Sequence, residues 1–137
     1  MKNKKTFKSV VYVVFKYASR KTFLFFKLSP KGRLIVNPLL KKCNQILSDY
    51  YGDNFEGLIL YGSMARGESD NFSDIDLLVL LKEPFNYFQE LRTIVELLYP
   101  VQLESENLIS AKPAAKGEFE SGEILLYRLA KREGIAA

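Results

Sequence analysis

Hydrophobic and polar positions along this chain follow two different periods. After Pro38, the residues Leu39, Leu40, Cys43, Ile46, Leu47 and Tyr50 recur three and four apart, which predicts a helix ending near Gly52. "GLILYGS" (Gly57–Ser63) predicts a short strand running into a tight turn. "DIDLLVLL" (Asp74–Leu81) predicts a second strand, apolar on both faces beyond its first residues and therefore central, stopped by Pro84. "YFQELRTIVELLY" (Tyr87–Tyr99) returns to helical spacing, with Phe88, Leu91, Ile94, Val95 and Leu98 on one side. "VQLES" (Val101–Ser105) reads as a third, shorter strand. A polar loop around Lys112–Gly117 follows, then a last helix carrying Ile124, Leu125, Tyr127, Leu129 and Ala130. Ahead of all these, Val10, Val14 and Tyr17 predict an amphipathic helix from Lys8 to about Arg20, and "SPKGRL" (Ser29–Leu34) a turn or linker. The order predicts an α+β fold, a mixed β-sheet packed against helices.

Charge divides the chain in two. The net charge is +4, yet all 16 acidic residues lie at or after Asp49. Residues 1–48 carry 12 of the 20 lysines and arginines and no acid, so the remainder, with 8 bases against 16 acids, is at −8. We divide the sequence into a basic, aromatic-rich leader over residues 1–36 and a domain over 37–137. The leader's apolar runs, Val10–Phe15 and Phe23–Phe26, fall short of the roughly 18 residues of a membrane span and are split by Lys16, Arg20 and Lys21. Its lysines alternate with Phe7, Tyr12, Phe15 and Tyr17, which suits nucleic-acid contact as well as packing on the domain, on a partner or on a membrane surface. The single cysteine, Cys43, excludes an internal disulfide and fits a reducing, cytoplasmic setting. With no histidine, chemistry must rest on carboxylates, hydroxyls, lysine, arginine or tyrosine.

Two carboxylates stand out. Asp74 and Asp76 enter an apolar strand with one isoleucine between them, and residues two apart on a strand share a face. Carboxylates so placed repel one another unless a cation lies between them. Hard oxygen donors at this spacing suit Mg²⁺ or Mn²⁺, which keep waters and borrow ligands from substrate phosphates. Gly62 and Ser63, at the end of the preceding strand, allow close backbone approach and offer N–H groups and a hydroxyl to phosphate oxygens. Arg66, one helical turn on, adds a positive charge of the kind that pairs with phosphate. Singly, each has a plainer explanation: a turn, a solvated strand edge, a surface arginine. Their order, strand, Gly-Ser, ten residues, Asp-x-Asp, apolar strand, is more specific than any of them.

That order, carried by "LYGSMARGESDNFSDIDLLVLL", resembles the signature of the minimal nucleotidyltransferases of the DNA polymerase β-like superfamily. Gly62, Ser63, Asp74 and Asp76 fall on its motif, and Arg66–Gly67 on the "ARG" that follows the serine. The resemblance covers Pro38 to the C-terminus. It implies the small nucleotidyltransferase fold and transfer of a nucleoside monophosphate, AMP from ATP, to an acceptor, with Mg²⁺ or Mn²⁺ on Asp74 and Asp76. It also implies a HEPN-type protein as partner and an antitoxin role, and leaves the oligomeric state open. One departure concerns the third carboxylate, which the family takes from the next strand. With that strand placed at Val101–Ser105, Gln102 stands where an aspartate is expected. Glu104 is then either its replacement, and a third catalytic residue, or a solvated charge. Without a replacement, the alternative is a catalytically weak or inactive module that acts by binding and masking a partner.

Overall fold

The computed structural model describes residues 38–66 and 73–137. The predicted leader helix, the linker and residues 67–72 lie outside that range.

Helix α1 (Pro38–Tyr51) forms where the three-four spacing predicts, and buries Leu40, Cys43 and Leu47. A 3-10 turn at Gly52–Asn54 leads into strand β1 (Phe55–Tyr61), which passes directly into a short helix α2 (Gly62–Arg66). Strand β2 (Ile75–Leu81) pairs antiparallel with β1. Helix α3 runs from Tyr87 to Glu104, with Asn86 capping its first turn by accepting from the Gln89 N–H.

At α3 the structure corrects the sequence reading. Val101–Ser105 is not a strand, because residues 101–104 complete the helix. Pro100 sits inside it and removes only the bond to the Glu96 carbonyl; both residues are exposed, so water can reach that group. Val101, buried to 1% exposure, anchors the last turn. The third strand is instead β3 (Ile109–Ala115), where a polar loop was expected around Lys112, and it pairs parallel with β2. Its sequence, ISAKPAA, has few β-formers. As an edge strand it tolerates Pro113, whose missing N–H costs little there. The inner side of α3 is also narrower than the spacing suggested: Ile94, Leu98 and Val101 are buried, whereas Phe88 and Val95 are 77% and 57% exposed.

The chain finishes with α4 (Lys116–Ser121), capped by Gly122 at φ +66°, α5 (Leu125–Glu133) and a two-residue strand β4 (Ile135–Ala136). Strand order is β3–β2–β1–β4, a mixed sheet as expected. Alternate residues of its central strands feed two cores. Leu77, Val79 and Leu81 of β2 pack with α1 and α3 on one face; Leu78 and Leu80 pack with Phe119, Tyr127 and Ala130 of α4 and α5 on the other. Burial pushes the Cys43 thiol up to about 11, which leaves it a core residue rather than a nucleophile. Among the described residues, no helix is long and apolar enough to cross a membrane.

A β-bulge between Phe55 and Gly57 turns Glu56 into the interior, where its carboxylate is 2% exposed and accepts from Lys116 Nζ at 2.8 Å. Lys116→Met should strand that carboxylate and lower unfolding free energy by about 3 kcal/mol in chemical denaturation. A change below about 1 kcal/mol would show that water already carries the charge.

Candidate active site

The candidate site sits where β1 ends and β2 begins, on the α4–α5 face of the sheet. Antiparallel register pairs Tyr61 with Asp76, so the residue before the glycine bend lies beside the second aspartate. Gly62 has φ +75°, a conformation that costs side-chain-bearing residues heavily. Its bare Cα is also a steric requirement: an added Cβ would lie 2.6 Å from Asp76 Oδ2. The carboxylate is thus seated against the bend.

Asp74 lies just before β2 and is exposed, Ile75 turns into the core at 3% exposure, and Asp76 is half-buried. Burial holds the Asp76 carboxyl above its ordinary range. The Asp74 charge pushes it the same way and Lys112 pulls it back. Burial, and then the Asp76 charge, likewise keep the Tyr61 hydroxyl protonated well above its usual range. Ser63 is half-buried in α2. Arg66 closes α2 with its guanidinium directed to Glu133 of α5, Nη1 donating to Oε2 at 3.4 Å. Gly62, Ser63, Asp74 and Asp76 are therefore brought together, and Arg66 is held at the α2–α5 contact.

The expected third carboxylate is not there. Gln102 lies in the last turn of α3, where its amide bonds to the α3–β3 connection, and Glu104 points to Lys42 of α1. Residues two apart on a helix do not share a face, so the pairing inferred for a strand dissolves. Both belong to the α1–α3 side of the sheet, opposite Asp76. The neighbour of Asp76 on β3 is Ser110, with Lys112 two residues further along the same face. Sequence reading missed both because β3 itself was hidden. Among the described residues, no three His, Cys, Asp or Glu side chains gather into a metal-binding group. What remains suits a divalent cation in part. The two aspartates offer hard oxygens whose mutual repulsion a cation would relieve, with its other positions left to water and substrate.

Comparison with known proteins bears on the family. Three relatives come from Methanocaldococcus jannaschii. "Putative protein adenylyltransferase MJ0141" is 33% identical over 72 residues, covering 53% of this chain and 72% of the relative. "Putative protein adenylyltransferase MJ0604" is 35% identical over 77 residues, covering 53% and 77%. "Putative protein adenylyltransferase MJ1305" is 44% identical over 48 residues, covering 35% of this chain and only 30% of the relative. Residues 41–129, more than half of the chain and the whole stretch from α1 through the Gly62 bend and β2 into α5, match the family described as Polymerase beta, Nucleotidyltransferase, to which the chain belongs.

Proposed function

We propose that the chain transfers AMP from ATP to a hydroxyl of a partner protein, with Mg²⁺ held by Asp74 and Asp76. The observation that carries this reading is the Asp76 carboxylate seated against the side-chain-free Gly62, with the Asp74 charge close enough to raise its pKa. The names of the relatives support adenylyl as the group moved and protein as the acceptor. A HEPN-type protein is the partner we propose, with adenylylation serving to restrain it. We place the activity in the cytoplasm, where a single buried thiol such as Cys43 stays reduced.

When bound, the divalent cation would offset the charge of the aspartates and of the triphosphate. The protein's own contributions are positional and electrostatic. Gly62 leaves room for the phosphates to approach the backbone, and Ser63 offers a hydroxyl. Lys112, exposed on the Asp76 face of β3, supplies an ammonium to the outer phosphates. The acceptor oxygen forms its bond to the α-phosphorus as the bond to the bridging oxygen breaks. Pyrophosphate leaves, and the hydroxyl proton passes to water. Such a reaction depends mainly on orientation and charge.

The test is Mg²⁺-dependent transfer of label from α-labelled ATP to a co-expressed HEPN-type partner. Label on the partner supports the reading, and none under any divalent cation overturns it. Lys112→Ala should raise KM for ATP about tenfold, the size of one charge-assisted hydrogen bond, in steady-state kinetics.

A second reading, a module that masks its partner by contact, is favoured by Ser110 standing beside Asp76 where a carboxylate would complete the site. The outer face of α3 also favours it: Phe88, Val95, Tyr99 and Leu103 are all more than half exposed along one side. Partner inhibition that survives Asp76→Asn but not Tyr99→Glu would select this reading.

A further inference from the structure

Asp74 lies outside the hydrogen-bonded ladder of β2, yet it is fixed on both sides by the segment that connects α3 to β3. On one side, Asn107 Nδ2 donates to the Ser73 carbonyl at 2.9 Å. On the other, the Ile75 N–H donates to the Leu108 carbonyl at 2.7 Å. The connecting segment is in turn clamped to α3 by one side-chain amide: Gln102 Oε1 accepts from the Ile109 N–H at 2.7 Å and Gln102 Nε2 donates to the Asn107 carbonyl at 3.2 Å. Ser105 Oγ adds a bond to the same Asn107 carbonyl at 2.8 Å and accepts from the Asn107 N–H at 3.1 Å. Ser73, Gln102, Ser105, Asn107 and Ile109 are half-buried, Ile75 is fully buried and Leu108 alone is exposed, so most of these bonds are sheltered from competing water.

We propose that Gln102 and Asn107 are positioning residues, an amide relay that sets the backbone at Ser73–Ile75 so that the Asp74 carboxylate faces the same side as Asp76. The physical reason is the period of two along a strand. If the residues ahead of β2 fray or slip by one, Asp74 rotates to the other face while Asp76, locked in register with Tyr61, stays in place. A two-carboxylate cation site would then become a single carboxylate. The ladder cannot prevent this unaided, since regular β2 begins only at Ile75. The relay therefore supplies what the strand lacks at its mouth, and gives Gln102 a role other than that of a lost catalytic carboxylate. The inference rests on Asp74 and Asp76 binding a divalent cation, as proposed above.

Mn²⁺ titrated into the full chain without nucleotide, followed by calorimetry, tests it separately from turnover. Asn107→Ala and Gln102→Ala should each weaken Mn²⁺ binding about tenfold, the usual scale for groups that orient metal ligands. Ile94→Ala, which thins the α3 core two turns before the relay, should lower the melting temperature yet leave Mn²⁺ affinity unchanged. Gln102→Glu keeps the acceptor for Ile109 and loses the donor to Asn107, so it should fall between wild type and Gln102→Ala. Relay variants that melt early but bind Mn²⁺ like wild type would overturn the positioning role while leaving the site reading intact. Wild-type protein that binds no Mn²⁺ would overturn both.

Discussion

Gly62→Ala is expected to reduce nucleotide transfer by at least about a hundredfold while leaving a folded protein. Two costs coincide at this position. The backbone at φ +75° disfavours any side chain by about 1–2 kcal/mol, and the new methyl would lie 2.6 Å from Asp76 Oδ2. The backbone of β1 is held by neighbours on both edges, so the side chain of Asp76 has to give way. A carboxylate moved by an ångström or more would no longer meet the cation proposed for it, and losses of two orders of magnitude follow from misplacements of that size. Gly52→Ala is the control. Gly52 has φ +54°, but nothing lies within 4 Å of its added methyl. It carries the strain without the collision and should retain full transfer at slightly lower stability. Steady-state transfer rates of the two variants, with circular dichroism to confirm folding, decide the matter. Equal losses in both would place the effect in general strain rather than in the seat of Asp76.

Asp76→Asn should separate activity from stability. Transfer is expected to drop at least about a hundredfold, because one neutral amide cannot replace an anionic ligand or balance the cation's charge. Stability without divalent cation should move the other way. Burial first, and the Asp74 charge second, hold the Asp76 carboxyl above its ordinary value, so the folded protein binds that proton more tightly than the unfolded chain does. Stability therefore falls as pH rises from the ordinary carboxylate value near about 4 through the raised folded value, and the penalty is complete above it. Asparagine removes that penalty. Melting temperatures across this range, in a chelating buffer, should show a decline towards neutral pH in the wild type that is reduced in the variant. At neutral pH the variant should be the more stable of the two. A variant that melts below wild type at neutral pH would show that the carboxylate is satisfied without a cation.

How far the sequence displays this site depends on where each piece lies. The helix after Pro38 and the strands on either side of the Gly62 bend are legible because their apolar residues repeat cleanly and their ends carry glycine or aspartate. Asp74, Asp76, Gly62 and Ser63 could be read together because they flank one turn. Contacts that depend on the third strand could not. Val101–Ser105 alternates apolar and polar like a strand, and Pro100 suggests a break before it. The core contact of Val101 nonetheless keeps the segment helical. ISAKPAA, by contrast, alternates only over its first four residues and lacks the β-branched content of a strand. It becomes one because β2 offers an open ladder and the Gln102 amide delivers its first residue to that edge. Ser110 and Lys112 were therefore invisible as site residues, and Gln102 and Glu104 were assigned to the wrong element. The pairing of Arg66 with Glu133 joins residues 67 positions apart and has no local signal either.

A divalent cation held jointly by Asp74 and Asp76 against the Gly62 bend is the core of the proposed function. The most direct measurement is Mn²⁺ binding with a non-hydrolysable ATP analogue, followed by electron paramagnetic resonance, in wild type and in the Asp74→Asn, Asp76→Asn double variant. A stoichiometric, nucleotide-strengthened Mn²⁺ site is expected in the wild type and should disappear in the double variant. Equal Mn²⁺ binding in both proteins would contradict it.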